Sequence, residues 1–294
     1  MNTKRAFAFA VLIPLAALGA YIALAAAPWH RRPAQHPLSP EDSARLWQES
    51  QALFSQGHYE RALVDALDLH GAYPGNQLYI QMAADIYHRM HLYREEADYW
   101  EQFFDRAPNP LGACPQMGQA YWSLGQDEQA VNAFQRCLDR DPRNTDSIFF
   151  LAHALEGTGQ SDRAGELYKQ GLEIAPDYID LQMGLARIEL RQEKTEEAKK
   201  LALAALQKAP RNVDVLLVAG LVYAREGDLR QAKQYLQEGS GLFDGYLDFH
   251  YALARIAEQE KDIPEALHQY DRILQDAPGD RAVVARRAAL IAKQ

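Results

Sequence analysis

The sequence contains only two cysteines, Cys114 and Cys137, and they do not form a C-x-x-C pair. This scarcity excludes a cysteine-rich zinc site, and the absence of a C-x-x-C-H motif excludes haem attached covalently to this chain. The sequence also has no H-E-x-x-H motif and no nucleophile elbow. It therefore offers no candidate catalytic residue, metal site or cofactor site, and we predict a protein that is not an enzyme.

Two short motifs have some features of ligand sites, but neither is complete. His88 and His91 lie three residues apart on one predicted helix face, yet no third metal ligand is evident. The residues Gly157, Thr158 and Gly159 have the composition of a phosphate loop, but they follow no strand and fall in a turn. We predict solvated histidines in the first case and an ordinary turn in the second.

Positive charge is scarce. The chain has 31 Lys and Arg residues against 40 Asp and Glu residues, which gives a net charge of −9. Four of the basic residues lie near the N-terminus, so the rest of the chain keeps 27 of the 31 against all 40 acidic ones. Nucleic acid and anionic lipid are therefore poor partners for this acidic part.

Strand-like alternation of apolar and polar residues is absent, and the chain instead repeats with a period of 34 residues. One column of the repeat contains Ala62, Ala130, Ala164, Ala198, Ala232 and Ala266. A second column contains Pro74, Pro108, Pro142, Pro176, Pro210 and Pro278. Within each period apolar residues recur at helical spacing on both sides of a polar turn, which predicts a helical hairpin.

The period and the residue types resemble the tetratricopeptide repeat, whose pattern combines a small residue, Tyr, Ala, an aromatic residue and Pro. The third repeat shows this pattern as Gly118, Tyr121, Ala130, Phe134 and Pro142. The repeats begin at Ser43, Gln77, Leu111, Thr145, Ile179, Val213 and Leu247. The resemblance implies that the first helix of each repeat lines a concave surface on which partner proteins bind.

We predict an all-α protein, a right-handed α-solenoid of about seven helical hairpins over residues 41–280 with a capping helix at residues 281–294. In the capping helix Val284, Ala288 and Ile291 are expected to face inward. Asp244 replaces the proline of repeat six and has three glycines nearby, which predicts an early end for the second helix of that repeat.

Two other features of the repeats lead to local predictions. Asp146, Asp180, Asp214 and Asp248 form a 34-residue column just before apolar helical runs, which favours N-caps over an acidic site. Repeat two has Glu96 at the position of the conserved-type alanine and Ala97 beside it, which predicts a shifted helix contact.

The N-terminal segment differs from the repeats. Residues 6–29 carry no charge, and this length suffices to span a bilayer, which needs roughly 20 residues. The segment is either a retained membrane anchor or a cleaved signal peptide with its cleavage site after Ala25–Ala27. Residues 1–5 then form a cytoplasmic tail, and residues 30–40, with three prolines, form a stiff linker. The distribution of basic residues favours repeats in the periplasm, with a cytoplasmic orientation as the alternative.

The two cysteines occupy the fourth and twenty-seventh positions of repeat three. A hairpin that folds about its middle brings these positions together, so we predict that Cys114 and Cys137 lie within disulfide reach, with Cα atoms about 4.4 to 6.8 Å apart. Two buried free thiols are the alternative. A bond would fit an oxidising compartment.

The concave positions of the repeat are apolar, with some basic residues. The predicted partner-binding residues are Trp47, Phe54, Met82, Trp122, Phe149, Phe150, His153, Met183, Arg187, Leu217, Leu221, Arg225, Tyr251 and Arg255. Phe149, Met183 and Tyr251 are the predicted anchors, because aromatic and Met side chains supply much of the energy at such surfaces. The expected partner is a helical protein segment, apolar and partly acidic, or a second copy of the chain.

The leading functional hypothesis is a membrane-anchored periplasmic scaffold that helps to assemble or stabilise an envelope complex. One alternative is a chaperone similar to the repeat domains of cytochrome c maturation proteins. The other is a cytoplasm-facing regulator of envelope biogenesis, similar to anchored repeat proteins that carry a C-terminal metal-binding domain, which this sequence lacks.

Overall fold

The computed structural model describes residues 38–106 and 109–292, and within them the chain forms fifteen α-helices, one 3-10 helix and no strand. The helices are α1 Pro40–Ser55, α2 Tyr59–Ala72, α3 Gln77–Arg89, α4 Tyr93–Arg106, α5 Cys114–Ser123, α6 Asp127–Arg140, α7 Thr145–Gly157, α8 Ser161–Ile174, α9 Ile179–Arg191, α10 Thr195–Lys208, α11 Val213–Glu226, α12 Leu229–Leu242, α13 Leu247–Glu260, α14 Ile263–Asp276 and α15 Arg281–Ile291. The 3-10 helix, Leu111–Ala113, directly precedes α5.

The predicted anchor at residues 6–29 lies outside the described residues. Among the helices listed above, none is both long enough and apolar enough to cross a bilayer. At the start of the described chain, Ser39 is the N-cap of α1, because its hydroxyl accepts the Asp42 N–H at 3.0 Å, and Pro40 occupies the first turn.

The helices belong to two compact units, one ending at Tyr99 and one beginning at Trp100. In the first unit the hairpin α1–α2 packs on α3. In the second unit five hairpins, from α5–α6 to α13–α14, follow one another in a solenoid-like arrangement, and α15 packs on α14. Each hairpin contacts mainly its neighbours in the sequence, which is the packing mode of a repeat array.

The alanine column marks where the two helices of each hairpin approach most closely. Each of the six alanines named in the sequence analysis has no solvent-accessible surface. From repeat two onward, each repeat's first predicted residue is also the first residue of a helix, α-helical or, for Leu111, 3-10. The helical hairpins predicted from the 34-residue period are therefore confirmed.

Glycines take the place of larger residues where a bulky side chain from the neighbouring helix needs room. A Cβ atom on Gly118 would lie 1.9 Å from the Phe134 ring, and one on Gly184 would lie 2.3 Å from the Tyr168 ring. Both rings are fully buried. The second helix of a hairpin thus places its aromatic ring directly on the backbone of an adjacent first helix.

The aspartate column does not supply the N-caps that we predicted. Asn144 and Asn212 cap α7 and α11, where their Oδ1 atoms accept backbone N–H groups at 2.8 to 3.1 Å. The aspartates lie two residues later, in the first helical turn, where their charge favours the positive end of the helix dipole. The prediction was wrong because capping and dipole stabilisation select the same residue type at positions only two residues apart.

Two predictions about the C-terminal repeats were also wrong. Helix α12 ends at Leu242 after 14 residues and has the same length as α10 and α14. In α15 the buried side chains are Val283 and Leu290, whereas Val284 and Ile291 are 47% and 45% exposed. Since apolar residues occur in adjacent pairs along α15, periodicity alone did not determine which member of each pair faces the core.

The substitution of Glu96 in repeat two is accommodated by a polar contact. Glu96 is 5% exposed, and its Oε2 lies 3.2 Å from Nδ1 of His88, while Ala97 beside it is buried. His88 is therefore a partner of a buried carboxylate rather than a purely solvated histidine.

Candidate partner-binding surface

The first unit contains a cleft of about 330 Å³ between α1 and α3. Trp47 and Phe54 lie seven residues apart on α1 and face Met82 on α3, so the structure brings these three predicted residues together. The sequence analysis missed Leu78, which also lines the cleft and is 59% exposed. Its place at the second position of repeat two is a concave position, so the repeat pattern contained the signal.

The second unit presents a group of aromatic side chains on α5, α7 and the turn before α9. We call Trp122, Phe149, Phe150, His153 and Tyr178 the aromatic patch. The ring centroids of Trp122 and His153 lie 5.4 Å apart, those of Phe149 and His153 5.9 Å, and those of Phe149 and Tyr178 6.4 Å. Four of the five residues were predicted, and Tyr178 was missed because it lies outside the predicted helix.

The aromatic patch rests on a buried ring and stays partly open to solvent. Phe134, which has no exposed surface, stacks on Phe150 at 5.3 Å and contacts Trp122 at 5.1 Å. The four aromatic residues of the patch are half-buried, and His153 is exposed. Protein atoms packed around the imidazole lower the pKa of His153, and Arg187 lowers it further, so this side chain is neutral near pH 7.

Next to the patch, Glu156 holds two arginines of the following helix. Its Oε1 accepts the Tyr168 hydroxyl at 2.5 Å and lies 3.5 Å from Arg187 Nη2, and its Oε2 accepts Arg191. Burial alone would raise the pKa of Glu156, but Arg187, Arg191 and Tyr168 together outweigh burial and lower it. Arg187 was predicted to face a partner, yet its charge is already paired within the protein.

This cluster leads to a pH-dependent prediction. Because the folded-state pKa of Glu156 lies below its ordinary value of 4.5, its contribution to stability is complete above that pH and is lost as the pH falls through the folded-state value. Glu156→Gln is expected to cost about 2 kcal/mol at pH 7, since it removes charge-assisted hydrogen bonds. Urea denaturation of both proteins from pH 7 to pH 3 should show this difference shrinking below pH 4.5. A difference that stays constant with pH would contradict the prediction.

The aspartate column lies at the start of the inner helices. The Tyr178 hydroxyl donates to Asp146 at 2.7 Å, and the Tyr246 hydroxyl donates to Asp214 at 2.9 Å. Burial raises the pKa of Asp180, and the neighbouring carboxylates Asp214 and Asp146 raise it further. The helix starts on this surface are therefore acidic, whereas the exposed cations Arg225 and Arg255 lie toward the helix ends.

Three predicted residues are not available to a partner. Met183 is 1% exposed, Leu217 is 5% exposed, and both belong to the apolar core between neighbouring hairpins, while Met82 is 8% exposed at the base of its cleft. Helices α9 and α11 contact each other directly and more extensively than the other pairs of first helices do. That contact covers Met183 and Leu217 and half-buries Leu221, so Met183 cannot be the anchor that we predicted.

Tyr251 and Arg255 lie in a second cleft, of about 610 Å³, between α13, α14 and α15. The Tyr251 hydroxyl donates to Asp280, the N-cap of α15. The Tyr270 hydroxyl donates to Glu258 at 2.6 Å, and Arg286 forms a two-pronged ion pair with the same carboxylate. We call this space the C-terminal cleft.

Cys114 and Cys137 form a disulfide bond, with Cα atoms 6.0 Å apart. Cys114 is the first residue of α5, Cys137 lies in the last turn of α6, and both are buried. The bond ties the open end of the hairpin that supports the aromatic patch.

The described residues contain no group of three His, Cys, Asp or Glu side chains arranged to hold a metal ion. His91 packs against Tyr93 in the turn after α3, with its Nδ1 2.8 Å from the tyrosine hydroxyl oxygen. The stretch from Gly157 to Gly159 ends α7 and leads into α8 as an ordinary turn.

Comparisons with solved structures support the fold. A tetratricopeptide repeat protein from Parabacteroides merdae superposes with a TM-score of 0.68 at 13% identity, covering 85% of this chain and 98% of its own. TTC0263, a thermophilic tetratricopeptide repeat protein of Thermus thermophilus, gives a TM-score of 0.54 at 26% identity over 60% of this chain and 96% of its own. A chain of the APC/C hetero-tetramer Cut9-Hcn1 gives 0.64 at 15% identity over 84% of this chain, which spans about half of it (49%).

A search of curated proteins found no match. The family model for the tetratricopeptide repeat matches residues 121–188, 157–221 and 223–291, which together make up more than half of the 294 residues. The matched segments include the whole of five hairpin helices on each side of the aspartate column and extend to the end of α15. This chain belongs to the tetratricopeptide repeat family.

Proposed function

We propose that the protein is a membrane-anchored periplasmic scaffold that binds a segment of a partner protein and assists the assembly or stability of an envelope complex. The observation that carries the proposal is the aromatic patch, where five ring side chains gather on a partly open surface. Residues 6–29 supply the anchor in this proposal, and residues 30–40 separate it from the repeats.

Three features support a protein as the partner. Aromatic side chains on a rigid helical support are typical of the residues that dominate protein–protein binding energy. The acidic balance of the repeats disfavours nucleic acid and anionic lipid. One of the structures with a similar fold is a hetero-tetramer, so this fold does serve in protein assemblies.

The disulfide supports the periplasmic placement over a cytoplasmic one. Disulfides persist in oxidising compartments and are rare in proteins of the reducing cytosol. A buried bond between α5 and α6 that stabilises the hairpin beneath the aromatic patch fits a protein that folds outside the cytoplasm. The oxidation state of the two cysteines in cells tests this placement.

The partner-binding proposal is tested by truncating the patch. Phe149→Ala is expected to weaken partner binding at least tenfold, because the ring is half-buried among His153, Phe150 and Tyr178 and is free to contact a ligand on its open side. The melting temperature should change little, since the buried ring beneath the patch, Phe134, remains in place. The measurement is photo-crosslinking in intact cells, with a photoreactive residue at the exposed position His153.

Two controls make the crosslinking result specific. Phe243→Ala removes a 57% exposed aromatic ring in the turn after α12, outside the patch, and should leave the crosslinked product unchanged. A photoreactive residue at Glu166, exposed on α8, should give no such product. Crosslinking that survives Phe149→Ala, or that the Phe243 control reduces equally, would overturn the proposal.

A further inference from the structure

The C-terminal cleft combines apolar walls with one uncommitted cation. Its walls are the Tyr251 and Tyr270 rings, Ala282 and Val283, contributed by α13, α14 and α15. Arg255 lies four residues after Tyr251, one turn along the same helix, so its guanidinium shares the cleft with that ring. The cleft volume of about 610 Å³ is large enough for several side chains of a ligand.

The charged groups around Arg255 are committed to one another. Arg286 makes two hydrogen bonds from its Nε to the Glu258 carboxylate, at 2.8 and 2.9 Å, and the Tyr270 hydroxyl binds the same group. The Tyr251 hydroxyl is bound to Asp280. Arg255 itself forms no hydrogen bond and no ion pair with any residue in the part of the chain that the structure describes.

The chemistry of this arrangement selects the ligand. An arginine fork matches the two oxygens of a carboxylate, and an apolar wall beside it matches the methylene groups of a glutamate and a neighbouring aliphatic residue. A cleft with a single free cation suits one side-chain carboxylate. On a helical segment, Glu and Leu three or four residues apart face the same side and would enter the cleft together.

We propose that the C-terminal cleft binds a helical partner segment through a glutamate side chain that pairs with Arg255 and a leucine that packs on Tyr251 and Val283. This proposal rests on the scaffold function and adds a second contact to it, with a defined chemistry. Charge complementarity supports an acidic segment at this end of the array, in contrast to the aspartate-rich starts of α7, α9 and α11.

The test uses full-length protein in detergent micelles and four fluorescein-labelled helical peptides of 16 residues. All four carry leucines on one face; the first has glutamates beside them and an amidated C-terminus, and the second and third replace every glutamate by lysine or by glutamine. The fourth is the glutamine peptide with a free C-terminal carboxylate. Fluorescence anisotropy measures each affinity.

We expect the glutamate peptide to bind at least tenfold more tightly than the lysine and glutamine peptides, and Arg255→Gln to remove this preference. The matched control is Arg225→Gln, which neutralises an exposed arginine of α11 outside the cleft and should leave the preference intact. Raising the salt concentration from 50 to 500 mM should weaken only the glutamate peptide. Arg255 is exposed, so its variant should keep the wild-type circular dichroism spectrum.

Several outcomes would overturn the inference. These are equal binding of the amidated glutamate and glutamine peptides, an unchanged preference in Arg255→Gln, or an equal loss in Arg225→Gln. Tight binding of the free-carboxylate peptide would also overturn it, because a chain terminus rather than a side chain would then be recognised. None of these results affects crosslinking at His153, so the scaffold proposal fails or stands separately.

Discussion

Replacement of Phe134 by alanine is expected to lower the free energy of unfolding by about 3–5 kcal/mol, the usual cost of deleting a fully buried aromatic ring. The ring has no exposed surface and fills the space that a side chain on Gly118 would otherwise take. It also supports Trp122 and Phe150 from below, so its loss leaves a cavity under the aromatic patch. Urea denaturation followed by circular dichroism measures the effect.

The control for Phe134→Ala is Phe243→Ala, which deletes the same side chain at a position that is 57% exposed. We expect this control to change the free energy of unfolding by less than about 0.5 kcal/mol, as is usual for surface positions. Hydrogen exchange in Phe134→Ala should increase most in α5, α6 and α7, since each hairpin contacts mainly its neighbours. A stability equal to that of the wild type would show that the ring does not pack as described.

The second large effect concerns the disulfide. The double variant Cys114→Ser, Cys137→Ser is expected to lose about 3 kcal/mol, because the bond closes a loop between residues 23 positions apart and restricts the unfolded chain. Denaturation with and without reductant should bring the wild type to the stability of the variant, whereas the variant itself should not respond to reductant. Equal stability of oxidised wild type and variant would contradict this prediction.

The same cysteines report the compartment. If the repeats lie in the periplasm, alkylation of unfolded protein taken from cells without reductant should modify neither Cys114 nor Cys137, and mass spectrometry after reduction should then find both. Alkylation of both thiols before reduction would argue for a cytoplasmic orientation and against the periplasmic scaffold. A cysteine-free control protein is the double serine variant itself.

The sequence was sufficient to predict the helical hairpins and their register. Ala130 and its counterparts recur every 34 residues because only a small side chain fits where two helices touch, and that steric requirement is visible in the residue type alone. The same holds for the aromatic ring at Phe134. These constraints act within one hairpin or between consecutive ones, so a periodic pattern records them directly.

The accessibility of the inner surface was not predictable in the same way. Phe149 and Met183 occupy the same position in successive repeats, yet the first is half-buried at the surface and the second is 1% exposed. The difference depends on how closely each first helix approaches the next one, which varies along the array and leaves no mark in a single repeat. The two clefts likewise depend on spacing between helices rather than on residue type.

The contacts between glycines and rings explain how this fold tolerates extensive sequence divergence. In the pairs Gly118 with Phe134 and Gly184 with Tyr168, a missing side chain on one helix is matched by a large one on its neighbour. What must be preserved is the summed volume of each pair, and either partner can change if the other compensates. A chain with only 13% identity can therefore retain the same helix arrangement, because the fold is encoded in local volume balances that many different residue combinations satisfy.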